Sequence, residues 1–517
     1  MLRRPLLAVA LLCTSAAACN AITGVNDLGI SAGHSGAGST GAGAAGTGGS
    51  GAGGAQAGPG GGAPVGMMFP AQGVTIGEIA IYQGVKRSIK DGAPSPSGIT
   101  VPIVAGRDAL IRVFVQTDHT YDGSPVTAHL FLGSSMSPIE VVGSVGLSSE
   151  AALASTINFE VPGASLVPGL AYRVELTQVY PHASGASSGA SYSSKLDVAS
   201  DGAQLRIALV PVRYGADGSN RLPDTSAAQI QGYKDRFFGT YPIDKIDLQM
   251  HAPLAWSQAV NADGSGWGPL LDGLAQLRQQ EGAASDLYYF GIFAPADAFD
   301  QYCGGGCVAG LGMIGSAQDS YSRAAIGLGY SGDVAFTTAI HEVGHTQGRN
   351  HAPCGGAQGV DPGFPYSNGS VGVWGYDLVS KTLISPDVAH DMMGYCDHDW
   401  ISDYTFKAIF DRMKTVNGAE LIIPEGQKNL TWERARADGQ GKLTWLDPVT
   451  MVRPPLGAPT DVTVLGAGGA AVVGGQFFPY DHLPGGVLLW HAPNAPNAPP
   501  MTGIQVTLGG KLSSLTR

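Results

Sequence analysis

The run HEVGHTQGRNH, residues 341 to 351, leaves the backbone around it few options. It gathers three of the chain's twelve histidines into eleven positions. Residues four apart share one face of an α-helix, so His341 and His345 can aim two imidazoles at a single point. Phe336, Ile340 and Val343 fall on the opposite stripe, which predicts a helix that buries one side and turns the histidines to a cleft. Glu342 projects about 100° round the helix from His341, at 3.6 residues per turn, and sets a carboxylate beside that point. Gly348 can take a positive φ and stop the helix abruptly. The chain then turns back and His351 reaches the same point. Three imidazoles around an open fourth corner, with a carboxylate alongside, are the ligand set and base of a hydrolytic zinc centre.

These residues also resemble a known family. The motif HExxHxxGxxH of the metzincin metallopeptidases is matched in full by His341, Glu342, His345, Gly348 and His351. "DMMGYC", residues 391–396, is similar to the methionine turn of that clan, with Met393 as the turn methionine and Tyr395 in the place of a tyrosine beside the metal. "AGLGMIGS", residues 309–316, looks like its antiparallel edge strand lining the substrate cleft. Phe406, Ile409, Phe410 and Met413 form a helical stripe behind Ser402 as cap, in the place of the helix that follows the turn. The likeness covers roughly residues 205 to 416. "APCGG" after His351 departs from the astacin-like and serralysin-like patterns, and no subfamily is implied. What the resemblance implies is a zinc endopeptidase with one catalytic Zn2+, Glu342 as general base, Tyr395 as hydrogen-bond donor to the developing oxyanion, and a protein or peptide as substrate. The alternative from another class is a surface adhesin or binding lipoprotein that holds zinc without turnover. His390, Asp397, His398 and Asp399 crowd the loop around the turn but show no ligand spacing, and are read as a solvated loop.

Elsewhere, composition divides the chain. Arg3 and Arg4 precede the apolar stretch Leu6 to Leu12, and small residues run up to Cys19, which reads as a signal peptide over 1–18 followed by a lipidated cysteine. An ordinary secretory signal is the alternative. Residues 19–67 are mostly glycine, alanine and serine and read as a flexible linker. Residues 68–202 alternate apolar and polar positions (Ala109, Ile111, Val113 and Val115 on one side; Tyr172, Val174 and Leu176 against Arg173 and Glu175) and predict a β-sandwich-like domain. Residues 203–420 alternate strands with helices and predict an α/β catalytic domain with a mixed, mostly parallel twisted sheet. Within it, Leu205–Val212, the stretch around Ile246, Leu248 and Met250, and Leu287–Phe293 read as strands. Thr225–Phe238 and the stripe Leu270, Leu271, Leu274 and Leu277 read as helices. Residues 421–517 return to short strands and turns and read as a small β domain.

Six cysteines become four once Cys13 is cleaved off and Cys19 is lipidated. In an exported chain an even number favours disulfides, and proximity pairs Cys303 with Cys307 and Cys354 with Cys396. A thiolate metal site is the other option for them. The net charge of −12, more acidic still without the signal's two arginines, is diffuse and argues against nucleic acid as a partner. No later stretch is long and apolar enough to span a bilayer, so contact with a membrane is expected through the lipid anchor only, at the cell surface.

Overall fold

The computed structural model describes residues 66–183, 185, 187–200, 203–418, 428–491 and 500–517. The expected signal peptide, Cys19 and the linker up to residue 65 lie outside the described residues. The described chain is mixed α/β and largely sheet. It divides into two compact units. One holds the described residues up to 202 together with Gly372–Pro386, and the other holds Ala203–Val371 and Asp387–Arg517.

In the first unit, alternation builds two antiparallel sheets. Five strands run in the order Met68–Pro70, Ala171–Val179, Val126–Leu132, Ile139–Gly143, with Ser191–Lys195 also on Ala171–Val179. Six run in the order Thr382–Ile384, Gly375–Asp377, Gly84–Lys90, Val74–Tyr82, Ala109–Thr117, Ile157–Val161. Ile111, Val113 and Phe159 from the larger sheet and Leu130, Val174 and Leu176 from the smaller enclose one apolar cluster. Each such side chain contributes about 1.5–3 kcal/mol by leaving water. Two strands of the larger sheet come from residues 375–384, so the chain leaves the second unit, completes this sheet and returns.

In the second unit, strands run in the order Lys245–Met250, Gln204–Tyr214, Leu287–Phe293, Ala324–Leu328, Gly310–Gly312. The first four are mutually parallel and the last is antiparallel. Helices Ala227–Thr240 and Trp267–Gln280 connect the parallel strands. The first of them begins two residues later than the sequence predicts. Ser226 is the cap, its hydroxyl accepting from the Gln229 N–H, while Asp224 accepts from the Ser226 N–H. A seven-stranded antiparallel sheet, spanning Leu430–Asp438 to Lys511–Thr516, completes the unit. Trp432, Phe478, Val487 and Leu489 on this sheet share a cluster with Trp267 and Leu271 of the second helix and Leu311 and Met313 of the edge strand region. That shared core fixes the C-terminal sheet against the edge strand, and with it the site below.

Candidate metal centre

The helix Asp333–Thr346 carries His341, Glu342 and His345, all buried. Tyr241 Oη donates to the Ile340 carbonyl at 2.6 Å, and Met393 lies so close under Gly344 that a Cβ there would stand 2.5 Å from its sulfur. The helix stops as the sequence predicts. Gly348 sits at φ 76°, its N–H donating to the His345 carbonyl at 2.7 Å and that of Arg349 to Gly344 at 3.1 Å, a Schellman closure. A Cβ at Gly348 would meet Arg412 Nη1 at 2.5 Å. That guanidinium donates to the carbonyls of Gly315 and Ser316 at 2.7 and 3.0 Å, tying the helix stop to the chain leaving the edge strand.

The structure brings the three histidines together. His341 Nδ1 meets the Met392 carbonyl and His345 Nδ1 the Arg349 carbonyl, both at 2.7 Å, and His351 Nδ1 meets the Gln358 carbonyl. A carbonyl can only accept, so each Nδ1 carries a proton, and in the neutral ring Nε2 is left with a lone pair. Nε2 of His341 and Nε2 of His345 stand 3.0 Å apart. Two imidazole nitrogens that close, in a buried site, share a cation between them, a proton or a metal ion. The donor atoms of His341, His345, His351 and a fourth residue, Asp481, all fall within 4.8 Å of one another. A tetrahedral zinc with bonds of about 2.0–2.1 Å spaces its ligand atoms roughly 3.3–3.4 Å apart, so the set fits that ion in both chemistry and size. Burial, and then the neighbouring imidazoles, hold His341 well below the ordinary histidine range. Burial and His345 lower His351 to about 4. Both rings are therefore in the neutral form a metal requires.

Glu342 stands beside the point of convergence. Its Oε2 is buried without a hydrogen-bond partner, and burial, followed by Asp481, pushes its carboxyl well above the usual range. Gly310 and Gly312 of the edge strand pass directly over it. A Cβ at Gly310 would lie 2.3 Å from Glu342 Oε1, and one at Gly312 3.0 Å from the Glu342 carbonyl oxygen.

Tyr395 Oη lies 2.9 Å from His351 Nε2, with its ring 5.6 Å from that of His341. The turn before it is held by Asp391, whose carboxylate accepts from the Met393 N–H at 2.9 Å, and Met393 is buried beneath the helix. Cys354 and Cys396 are joined, as are Cys303 and Cys307. The first bond links the loop after His351 to the residue after Tyr395. Their sulfurs cluster with His390, but a sulfur in a disulfide is no thiolate ligand. His390 turns instead to the Asp397 carbonyl at 2.9 Å.

Asp481 and His482 escaped the sequence reading. They sit some 130 positions from the last histidine of the motif, in a tail read as a separate β stretch, and no helical or strand period connects them to it. One signal was present. They are an adjacent carboxylate and imidazole in a turn, "PYDHLPGG", within a stretch almost free of charge.

Residues 311–419 match the family described as Peptidase M66, from the edge strand through the histidine helix and the Met393 turn to the end of the helix Asp403–Asn417. The match supports a metallopeptidase type of family. Among individual proteins, the chain is 27% identical over 249 residues to Dictomallein of Burkholderia mallei (strain SAVP1), covering 42% of this chain and 32% of that protein. The figures are the same for Dictomallein of Burkholderia pseudomallei (strain 668). The chain thus spans about a third of the length of these curated relatives. A solved structure titled "Structure of a chaperone-substrate complex" aligns at 13% identity with a TM-score of 0.22, covering 50% of this chain and 39% of that one, an overlap too low to bear on the fold.

Proposed function

We propose that this chain is a zinc-dependent endopeptidase of metzincin type, exported and held at the cell surface through Cys19, acting on extracellular proteins. The observation that carries the reading is the convergence of donor atoms from three imidazoles in a buried site, each ring fixed by a backbone carbonyl on Nδ1. His341, His345 and His351 would hold the ion. A zinc ion there supplies Lewis acidity to a peptide carbonyl and to water. The chain's own groups do the rest. Gly310–Gly312 offers an edge along which an extended peptide can pair. Glu342, pressed against that edge, takes the proton of the attacking water and returns it to the leaving amine. Tyr395 gives up its contact with His351 and donates a hydrogen bond to the carbonyl oxygen as negative charge builds there.

A second reading has one observation in its favour. Asp481 stands at the fourth corner, and a centre with four protein ligands is the arrangement of a structural zinc site, as in a zinc-holding adhesin. Incubating the purified chain with casein or a peptide library, with and without a chelator and beside Glu342→Gln, separates the two. Chelator-sensitive cleavage lost in Glu342→Gln is the expected result. Bound zinc with no cleavage of any substrate supports the adhesin, and cleavage that survives Glu342→Gln removes the assigned base.

A further inference from the structure

The strands Gly469–Pro479 and Gly485–Trp490 pair antiparallel in the C-terminal sheet. The five residues that join them, Tyr480 to Pro484, make a tip that enters the histidine site. The tip is well seated. Tyr480 bridges Met313 in antiparallel register, and the Asp481 N–H donates to the Gly312 carbonyl at 3.3 Å. Tyr480 Oη donates to Asp272 Oδ1 at 2.9 Å. Asp481 Oδ1 takes the His482 N–H at 2.5 Å, with the His482 ring Nδ1 2.7 Å away.

The other carboxylate oxygen is the informative one. Asp481 Oδ2 stands 3.0 Å from His345 Nε2, and the side chains of both residues are wholly buried. His345 Nδ1 faces a carbonyl and carries a proton, so the neutral ring meets Oδ2 with a lone pair and only the doubly protonated ring meets it with an N–H. In either form the meeting of Oδ2 and Nε2 requires a positive charge between them, a second ring proton or a metal ion. A buried carboxylate needs such a compensating charge, and a metal ion supplies it to all four donor atoms at once. An Asp481 carboxylate oxygen lies within 4.8 Å of donor atoms of all three imidazoles.

From this geometry we propose that Asp481 is a fourth metal ligand, and that the tip of the C-terminal hairpin is a stopper built into the fold. The inference rests on the zinc reading above. Two places that a substrate needs are taken at once. The carboxylate fills the corner left by the three histidines, and the backbone of Tyr480 and Asp481 holds the edge at Gly312 and Met313 where an extended peptide would pair. In this resting state the centre is closed, and hydrolysis requires the tip to withdraw. The seating contacts belong to the tip alone, so withdrawal leaves His341, His345 and His351 with their carbonyl partners.

The full chain loaded with Co2+ tests this. The visible d–d absorption of the ion reports its ligands, and titration with acetohydroxamate reports an open corner. Wild type, Asp481→Asn and Asp481→Ala should each bind one Co2+ per chain. The two variants should show a spectrum shifted from wild type and should bind acetohydroxamate at least tenfold more tightly. Their zinc forms should also cleave peptides at least tenfold faster than wild type. Identical spectra and hydroxamate affinities across the three proteins would overturn the proposal, as would slower cleavage in variants that keep their zinc. Should both variants fail to fold, Tyr480→Phe removes only the bond to Asp272 and must also tighten hydroxamate binding; no change there counts against the stopper. A wild-type chain that takes up no Co2+ fails earlier, at the zinc reading itself, and takes this inference with it.

Discussion

Gly310 and Gly312 place Glu342 by what they lack. The edge strand crosses the carboxylate so closely that a single methyl group at Gly310 would overlap both its oxygen and its carbon atoms. Gly310→Ala should therefore push Glu342 out of line without touching a ligand. A displacement of about 1 Å in a reacting group costs on the order of 100-fold in rate. Peptide cleavage by this variant should fall by 10- to 100-fold while its zinc content stays at the wild-type level. At this scale the sequence was informative wherever chemistry followed a local period. His341 and His345 announced themselves by the helical repeat, and Gly348 by the abrupt stop that its φ of 76° supplies. Met393 and Tyr395 were legible only through resemblance, since a lone methionine or tyrosine fits any core. Asp481 was not legible, because a sheet contact brings it in and no spacing does.

Among the elements, the 42-residue separation between Cys354 and Cys396 encloses the loop after His351, the excursion into the other unit and the Met393 turn. Closing a loop of that size restricts the unfolded chain by about 2–4 kcal/mol. Replacing both cysteines by serine should lower the melting temperature by several degrees, read by calorimetry, and leave zinc bound, because no ligand is lost. Helix Trp267–Gln280 supplies a pH-dependent contact with the C-terminal sheet. Asp272 on this helix accepts from Tyr480 and faces Arg436, yet burial outweighs both and raises its carboxyl to about 6. An unfolded aspartate titrates near 3.9. Below about pH 4 both states hold the proton and the group is neutral to stability. Between about 4 and 6 the folded state alone holds it, so stability falls as the pH rises, and the penalty persists above 6. The melting temperature of Asp272→Asn relative to wild type should therefore be higher at pH 8 than at pH 4.5, by the equivalent of about 2 kcal/mol; an equal difference at the two pH values would contradict this. Strands and helices of the parallel sheet were legible because apolar periods of 2 and 3.6 separate cleanly there. The start of the helix Ala227–Thr240 was not, since Asp224, Thr225 and Ser226 are all plausible caps and only tertiary packing selects among them.

For the whole molecule, composition divides the chain into consecutive stretches, whereas the compact units it forms are discontinuous. Residues 375–384 cover the sheet edge at Gly84–Lys90, and Tyr376 packs with Ala80, Tyr82 and Leu110. A fragment of residues 66–202 alone would expose that edge and those side chains, and should melt lower or aggregate; adding a peptide of residues 372–386 should restore it in part. No sequence pattern marks such a return, because a strand's partner is chosen by the sheet and not by the strand. The same holds for the C-terminal sheet, whose apolar face closes over helix Trp267–Gln280 and so delivers its hairpin tip to the histidines. The proposed chemistry requires one buried ion. Zinc per chain, measured by elemental analysis after exhaustive dialysis of the wild type and His351→Ala, tests it most directly. The expected result is close to one zinc in the wild type and a marked loss in the variant. A wild-type chain without zinc, or a His351→Ala chain that holds it as tightly, would contradict it.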